Sequence, residues 1–260
     1  MGGVLKLTEN LLVIWQNTKS RQKYHIGTLS YNTVADIYIF TYAYDVEHRG
    51  LMEAMKNGFR GIYEFELTNE PKSSNKLFHF FNKRIPNSSR KDYKELLKFF
   101  GLTEKHSKME FLRRTKGRLA TDNFELFSPI VRNNLNNTFS LESFIEGWRY
   151  YDGDKVFYQL RVGDKLKLER DYGNEQDKYA VKILTKDNIH LGYVAGVYSE
   201  FLSKVLDSKN YYEVSIKKLL PKAIPQMKVS IGINGECNFN SNNSSVSDTS
   251  PKLKKELILI

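Results

Sequence analysis

Four aspartates, Asp152, Asp154, Asp164 and Asp171, crowd the middle of this 260-residue sequence, and carboxylates so grouped could hold the cations of a metal-dependent nuclease. They also have a plainer reading. Gly153-Asp154, Gly163-Asp164 and the Tyr172-Gly173-Asn174 run are turn chemistry between strands. The five histidines, His25, His48, His79, His106 and His190, are scattered, and none has a second histidine three or four residues away to make a paired metal spacing. There is no glycine-rich phosphate loop with a following lysine and no nucleophile elbow. Cys237 stands alone, which leaves no disulfide framework and no cysteine-rich zinc site. The expectation is a protein with no catalytic step, no metal and no cofactor.

A chain of this length accommodates two domains, and a hydrophobic content of 40% with 13% aromatics suffices for real cores. No apolar run approaches a membrane span, and MGGVLKLTEN has no apolar signal-peptide core, so a cytoplasmic protein with no membrane partner is expected. The net charge of +10 favours an acidic partner. It is unevenly spread: residues 70–120 hold 14 Lys and Arg against 5 Asp and Glu, residues 145–233 hold 15 against 12. The basic patch is therefore expected in the first half, at Lys83, Arg84, Arg90, Lys91, Arg113 and Arg114.

Leu11 to Trp15, His25 to Leu29, Ile37 to Tyr44 and Phe59 to Leu67 read as four strands. Asn75 to Phe81 reads as a short helix with Leu77, Phe78 and Phe81 inward. A second helix over Tyr93, Leu96, Leu97 and Phe100 would be capped by Ser89 and ended by Gly101. A short strand is expected at Phe124 to Phe127. The Asn-rich stretch after Ser128 has no sustained period and reads as a linker over 129–144. Beyond it, Lys165 to Leu168 and Ala180 to Leu184 alternate as half-buried strands, while Phe201, Leu202, Val205 and Leu206 share one helical face. Tyr212 to Ile216 and Met227 to Ile233 close this unit. Asn234 to Ile260 is Asn- and Ser-rich, reads as a disordered tail and ends in the amphipathic Leu253 to Ile260.

Two resemblances follow. Arg149-Tyr150-Tyr151-Asp152-Gly153, Gly163-Asp164-Lys165-Leu166-Lys167-Leu168, Glu169-Arg170-Asp171, Asn174-x-x-Asp177-x-x-Ala180-Val181 and Leu191-Gly192-Tyr193 resemble, in order and spacing, the HIRAN domain. That resemblance implies a small β-barrel with one helix over 145–233 that captures DNA, in particular single-stranded 3′ ends. It implies that Arg149 forks a phosphate, Tyr150 stacks on a base, Asn174 touches base or backbone, and Asp177 accepts a hydrogen bond from the terminal hydroxyl. Gln176 departs from the pattern, standing where the eukaryotic version has a stacking tyrosine. Gly196 departs too, where a lysine is often found; Tyr193 is the replacement aromatic.

Val13-Ile14-Trp15, Ile26-Gly27-Thr28-Leu29, the run from Leu77 to Ser88, Met109-Glu110-Phe111-Leu112 and Gly117-Arg118 resemble the N-terminal subdomain of HipA-type kinases, also found free-standing as HipS. This likeness covers about residues 10–128. It implies a domain, 1–128, that docks a HipA/HipT-type kinase chain through the region of Phe78 to Phe81 and the basic turn after it.

The expected protein is thus α+β: two small mainly-β domains, the second a HIRAN-like β-barrel with one helix. The expected function is a non-enzymatic regulator in a bacterial toxin–antitoxin or phage-defence system that also binds DNA. The alternatives are a DNA repair or processing accessory without a kinase partner, and a nuclease built on the Asp-rich turns.

Overall fold

Leu11, Leu12, Val13 and Ile14 are buried one after another, and a strand with no exposed face needs a layer on each side. That strand, β1 (Thr8–Gln16), organises the molecule, of which the computed structural model describes residues 8–239. It pairs antiparallel with β2 (Lys23–Asn32), which pairs with β3 (Ile37–Tyr42). After α1 (Leu51–Lys56), β4 (Lys72–Ser74) joins the free edge of β3. Three short helices follow, α2 (His79–Asn82), α3 (Tyr93–Phe100) and α4 (Lys108–Thr115), before β5 (Phe124–Phe127) pairs with the other edge of β1. The first sheet therefore runs β4-β3-β2-β1-β5. Gly101 ends α3 with a left-handed φ of 66°, as its type suggests, but the residue before the helix is Asp92 and Ser89 caps nothing.

The second sheet is built from β6 (Val131–Asn133), β7 (Thr138–Phe144), β8 (Lys165–Arg170), β9 (Val181–Leu184), β10 (His190–Tyr193), β11 (Tyr212–Leu219) and β12 (Val229–Glu236). Its order is β10-β9-β8-β11-β12-β7-β6. Between these strands lie the one-turn α5 (Gly153–Val156) and α6 (Gly196–Asp207), which buries Phe201, Leu202 and Val205 on the face its 3.6-residue period selects. The molecule is mainly β, but the expected barrel is not a closed ladder. The far end of the sheet returns to β10 through a single bridge, Glu146 with Tyr193.

Alternate residues of β1 serve different cores. Leu11 and Val13 join Tyr24, Phe40, Phe65 and Phe81. Leu12 and Ile14 face the other way and join Trp148, Ile183, Phe201 and Ile231 of the second half. The period-2 alternation that normally separates core from solvent here separates two cores.

Four further expectations differ from the structure. Phe59 to Leu67 is a tight bridged turn instead of a strand: φ is 99° at Gly58 and 95° at Gly61, and Ile62 bridges Phe65. The Tyr42 hydroxyl holds it, accepting from Ile62 N at 2.9 Å and donating to the Phe65 carbonyl at 3.2 Å. Residues 129–144, read as a linker, form the β6–β7 hairpin, and β7 pairs with β12 along its length. The strand β12 continues to Glu236 and Cys237 is buried, so the tail does not begin at Asn234; the rest of that segment, with Leu253 to Ile260, lies outside the described residues. The first helix of the Phe-rich run also starts late, at His79. There the Glu64 carboxylate accepts from the amides of His79 (3.1 Å) and Phe80 (2.7 Å), while Leu77, Phe78 and Phe81 point inward as expected.

Buried charge joins the two halves. Glu146, just after β7, accepts from Lys23 at 2.8 Å and Lys116 at 3.2 Å. Glu125 of β5 lies 3.1 Å from Lys23 and also meets Arg118. Burial alone would raise the Glu146 carboxyl, but the Lys116 and Lys23 ammonium groups outweigh it and hold it near 2. Burial pushes Lys116 down to about 8 against the pull of Glu146.

Candidate nucleic-acid interface

The site grows from the turn that follows β7. Gly147, at φ 74°, reverses the chain into a one-turn helix, Trp148–Tyr150. Trp148 points inward, and its indole donates to Asp154 at 2.7 Å. Gly153 packs flat on that indole; a Cβ there would lie 2.5 Å from its ring. With Trp148 anchored, Arg149 and Tyr150 are turned out, Tyr150 with 76% of its surface exposed and the Arg149 guanidinium 6.0 Å from its ring centre.

Tyr151, the next residue, belongs to a ring cluster. Its ring lies 4.0 Å from His190 and 5.4 Å from Tyr193, and those two are 5.0 Å apart. His190 and Tyr193 are three residues apart on one strand, which in regular pleating would put them on opposite faces. A bulge between His190 and Gly192 restores them to one side. Gly192, at φ 143°, is what lets the chain pass Glu146, because a Cβ would sit 2.3 Å from that carbonyl. His190 Nε2 lies 3.1 Å from the Gly192 carbonyl, which can only accept, so this nitrogen carries the proton. Burial lowers the histidine below its ordinary value, and at pH 7 the ring stacks in neutral form.

Beneath the rings sits Asp171. It accepts from the Tyr193 hydroxyl at 2.5 Å and from Asn174 Nδ2 at 3.3 Å, and pairs with Lys182 at 3.2 Å. The Tyr193 hydrogen bond holds its carboxyl below the ordinary range, and burial together with Asp171 raises the Tyr193 phenol. Asn174 is chiefly a turn residue: its Oδ1 accepts from the amides of Gln176 and Asp177, each at 3.0 Å.

Asp177 engages other groups. It accepts from Ser199 Oγ at 2.8 Å and from the Tyr179 amide at 2.9 Å. Two groups from the first half complete its surroundings, Arg49 at 3.4 Å and His48 at 3.6 Å. The carbonyl of the neighbouring Gln176 accepts from Arg49 at 3.1 Å and Gln22 at 3.5 Å, while its own side chain is exposed. The six residues expected at the site therefore divide. Arg149 and Tyr150 are exposed beside each other, Tyr193 is half-buried against Tyr151 and His190, Asn174 reaches Asp171 beneath them, the Gln176 carbonyl meets Arg49 and Gln22, and Asp177 is enclosed. Tyr151, His190, Asp171 and Lys182 cluster with Tyr193 in this candidate site, beyond the residues the sequence singles out.

The basic patch also divides. Arg84 is not on the surface: it is 4% exposed, paired with Asp122 at 2.7 Å, bonded to the Gly117 carbonyl at 2.8 Å and stacked 4.4 Å from the Phe80 ring. Arg113 is half-buried against Glu9. Lys83, Arg90, Lys91 and Arg114 are exposed, with Arg90 gripped at two points by Asp92. The four aspartates of the nuclease alternative do not converge. Asp152 pairs with Lys155, Asp154 with Lys228, Asp164 caps Arg161, and Asp171 is committed as described. Among the described residues no group of three His, Cys, Asp or Glu is placed to hold a metal ion, and no helix is long and apolar enough to cross a membrane.

Residues 138–231 match the family model of the HIRAN domain. The match opens at the first residue of β7 and closes within β12, so it takes in the hairpin strand read as linker. Among solved structures, the chain is similar to the HIRAN domain of human HLTF at 22% identity, over 37% of this chain and 74% of that one, with a TM-score of 0.32. It is similar also to a protein from Lactobacillus plantarum at 21% identity, over 38% of this chain and 99% of that one, with a TM-score of 0.33. No curated protein matches the chain. Residues 138–231 are a HIRAN domain.

Proposed function

We propose that this chain is a non-enzymatic DNA-binding protein whose HIRAN domain holds single-stranded DNA across Arg149, Tyr150, Tyr151, His190 and Tyr193. One observation carries the reading: an outward guanidinium stands beside an exposed tyrosine, and the next residue, Tyr151, joins a ring cluster with His190 and Tyr193. Rings give base faces something to stack on whatever the sequence, and the arginine fork suits a phosphate. Fluorescence anisotropy with a labelled single strand tests it. Arg149→Ala/Tyr150→Ala should weaken binding about tenfold or more, since one stacking platform contributes about 1–3 kcal/mol per base. The thermal midpoint should not change, because neither side chain is packed. Equal affinity of variant and wild type would remove this face from the function.

A second reading belongs to residues 10–128 and rests on their resemblance to the HipA N-terminal subdomain: contact with a separately encoded HipA/HipT-type kinase, in a bacterial toxin–antitoxin or phage-defence setting. Lys83, Arg90 and Lys91, exposed around the Pro86 break, favour it. Phe78, Phe80 and Phe81 lie in the core, so such a contact would use the basic turn and not the aromatic segment. Co-purification with such a kinase separates this reading from a DNA-binding accessory that acts alone.

A further inference from the structure

Where the two halves meet, the chain leaves an open cleft of about 1470 Å³, lined by α4 and β1 from the first half and by β6, β7, β11 and β12 from the second. That volume exceeds the roughly 300–1,000 Å³ of a small-molecule pocket. Its floor is polar: Ser230, Gly232 and Asn234 alternate along β12, opposite Phe144, Glu142 and Ser140 of β7. Serine and asparagine side chains are common partners of phosphate and sugar oxygens. Four cations also line the cleft, Arg114 at the end of α4, Arg132 of β6, and Lys217 and Lys218 of β11. Among the described residues none of the four forms an ion pair.

Backbone geometry brings these charges together. Regular pleating sends consecutive residues to opposite faces of a sheet, which would part Lys217 from Lys218. The bulge between Ile216 and Lys218 admits both to the cleft. Glycines leave room for their ends: a Cβ on Gly232 would lie 2.3 Å from Lys217 Cε, and one on Gly101 would lie 2.9 Å from Lys218 Nζ. Lys218 comes under the influence of Arg114, from the other half of the chain. Burial and that like charge both push its ammonium below the ordinary value. Arg132 lies 6.0 Å from the Phe201 ring centre, and its Nε is buried with no hydrogen-bond acceptor. The carboxylates nearby do not answer these cations. Glu9 is taken by Arg113 and Glu200 by Lys204, while Glu110 and Glu142, also in the walls, pair with no cation among the described residues. Like charges gathered without a counter-charge repel one another until an anion sits among them.

We infer that this cleft holds the phosphate backbone of a nucleic-acid strand through Arg114, Arg132, Lys217 and Lys218, as a second contact in addition to the tyrosine-bearing one; the inference rests on the DNA-binding reading given above. Phe144 lines the cleft, and two residues later Glu146 bridges Tyr193 of the ring cluster. That continuity favours a long strand as the occupant over a free nucleotide. Contacts made to phosphates alone carry no sequence preference and are weakened by salt.

The test uses the full chain and two labelled oligothymidylates, one of about 5 nucleotides, within the reach of a single binding face, and one of about 30. Arg114→Ala/Lys217→Ala/Lys218→Ala should flatten the long strand's slope of log affinity against log salt by about two, the loss of three phosphate contacts at about 0.7 each. For the short strand its affinity should stay within about twofold of wild type, because the rings that stack on bases are untouched. Retained binding of the short strand shows that the variant is folded. Should the variant bind neither strand, Lys217→Gln/Lys218→Gln decides: it keeps the side-chain bulk and should flatten the long-strand slope by about 1.4, the loss of two contacts. A long-strand slope equal to that of wild type overturns the inference. So does polyglutamate of matched charge that displaces the long strand as well as unlabelled oligothymidylate does, because the cleft would then accept any polyanion. If Arg149→Ala/Tyr150→Ala binds like wild type while the cleft variant flattens the slope, the tyrosine face fails and the cleft stands. A wild type that binds neither strand ends both readings.

Discussion

Both halves bury aromatic residues, Trp148, Tyr198 and Phe201 in the second among them, but one cluster in each half is used in an opposite way. In the first, Phe40 stacks on Phe65 at 4.1 Å, Phe80 meets Phe81 at 5.0 Å, and all four are buried with Phe78. In the second, Tyr150, Tyr158 and Tyr172 stand largely exposed, and Tyr151 covers His190 at the surface. The side chains explain the division. Phenylalanine has no polar atom and gains most by leaving water, while tyrosine keeps one end wet at no cost and can present its ring. Aromatic richness alone thus says little about binding. Which rings carry hydroxyls, and whether cations stand beside them, says more.

The sharpest way to break this contrast is to remove a ring from each half. Phe81 is fully buried among Phe40, Phe65, Phe78 and Phe80, so Phe81→Ala should lower unfolding stability by about 3–5 kcal/mol in a urea titration. The fraction that remains folded should bind DNA as before. A stability loss from Tyr150→Ala as large as that from Phe81→Ala would show that Tyr150 is packed as tightly as a core ring, and the contrast would be lost.

The junction between the halves should show a smaller effect, tuned by acid. Glu146 titrates near 2 in the folded protein and near its ordinary value, 4.5, when unfolded. As pH falls between those values the unfolded chain takes up the proton first, so the stability that Glu146 contributes is complete above 4.5 and is lost on descending toward 2. Glu146→Gln should therefore be less stable than wild type at pH 7, and the gap should narrow markedly by pH 3. At pH 7 the loss should stay below the roughly 3–5 kcal/mol of an isolated broken pair, because Glu125 remains 3.1 Å from Lys23. A gap that stays constant down to pH 3, read from urea midpoints, would mean that Glu146 is held by packing and not by its charge.

Much of the second half was legible because its strands alternate cleanly and α6 keeps a helical period. What escaped the sequence was conformation at single residues and contacts between distant ones. Phe59 to Leu67 alternates well enough for a strand, yet Gly58 and Gly61 take left-handed conformations that the alternation cannot register. The Asn-rich stretch reads as a linker, but asparagine also tolerates the left-handed turn of a hairpin. Asn137 does this at φ 50°, and Asn133 accepts from the Leu135 amide at 3.0 Å. At the site, Arg149, Tyr150 and Tyr193 came from a motif. His190 was invisible because only the bulge at Gly192 brings it beside Tyr193. No local pattern could pair Arg49 with Asp177, since the two meet only when both sheets are in place. Arg84 shows the converse: it looks like a surface cation in a basic run until Asp122 and Phe80 fold around it.

The smallest expected effect sharpens the comparison most finely, by setting one exposed arginine of each half against the other. Arg90 is exposed, but Asp92 grips its guanidinium with two bonds of 2.7 Å, so its charge is already answered. Arg149 is exposed beside a ring, and among the described residues it forms no ion pair. Neither substitution to alanine should move the unfolding midpoint. A phosphate contact should appear as a change in how steeply affinity falls with salt. Arg149→Ala should flatten the slope of log affinity against log salt by about one, the signature of one lost contact, whereas Arg90→Ala should leave it unchanged. The measurement needs only one labelled strand at several salt concentrations. Equal flattening by both would mean that DNA is held by diffuse charge over the whole surface, with the basic run of the first half contributing as much as the tyrosine face of the second. A change confined to Arg149 would mean that the half with the smaller excess of positive charge is the half that binds, because its cation is free and stands beside a ring.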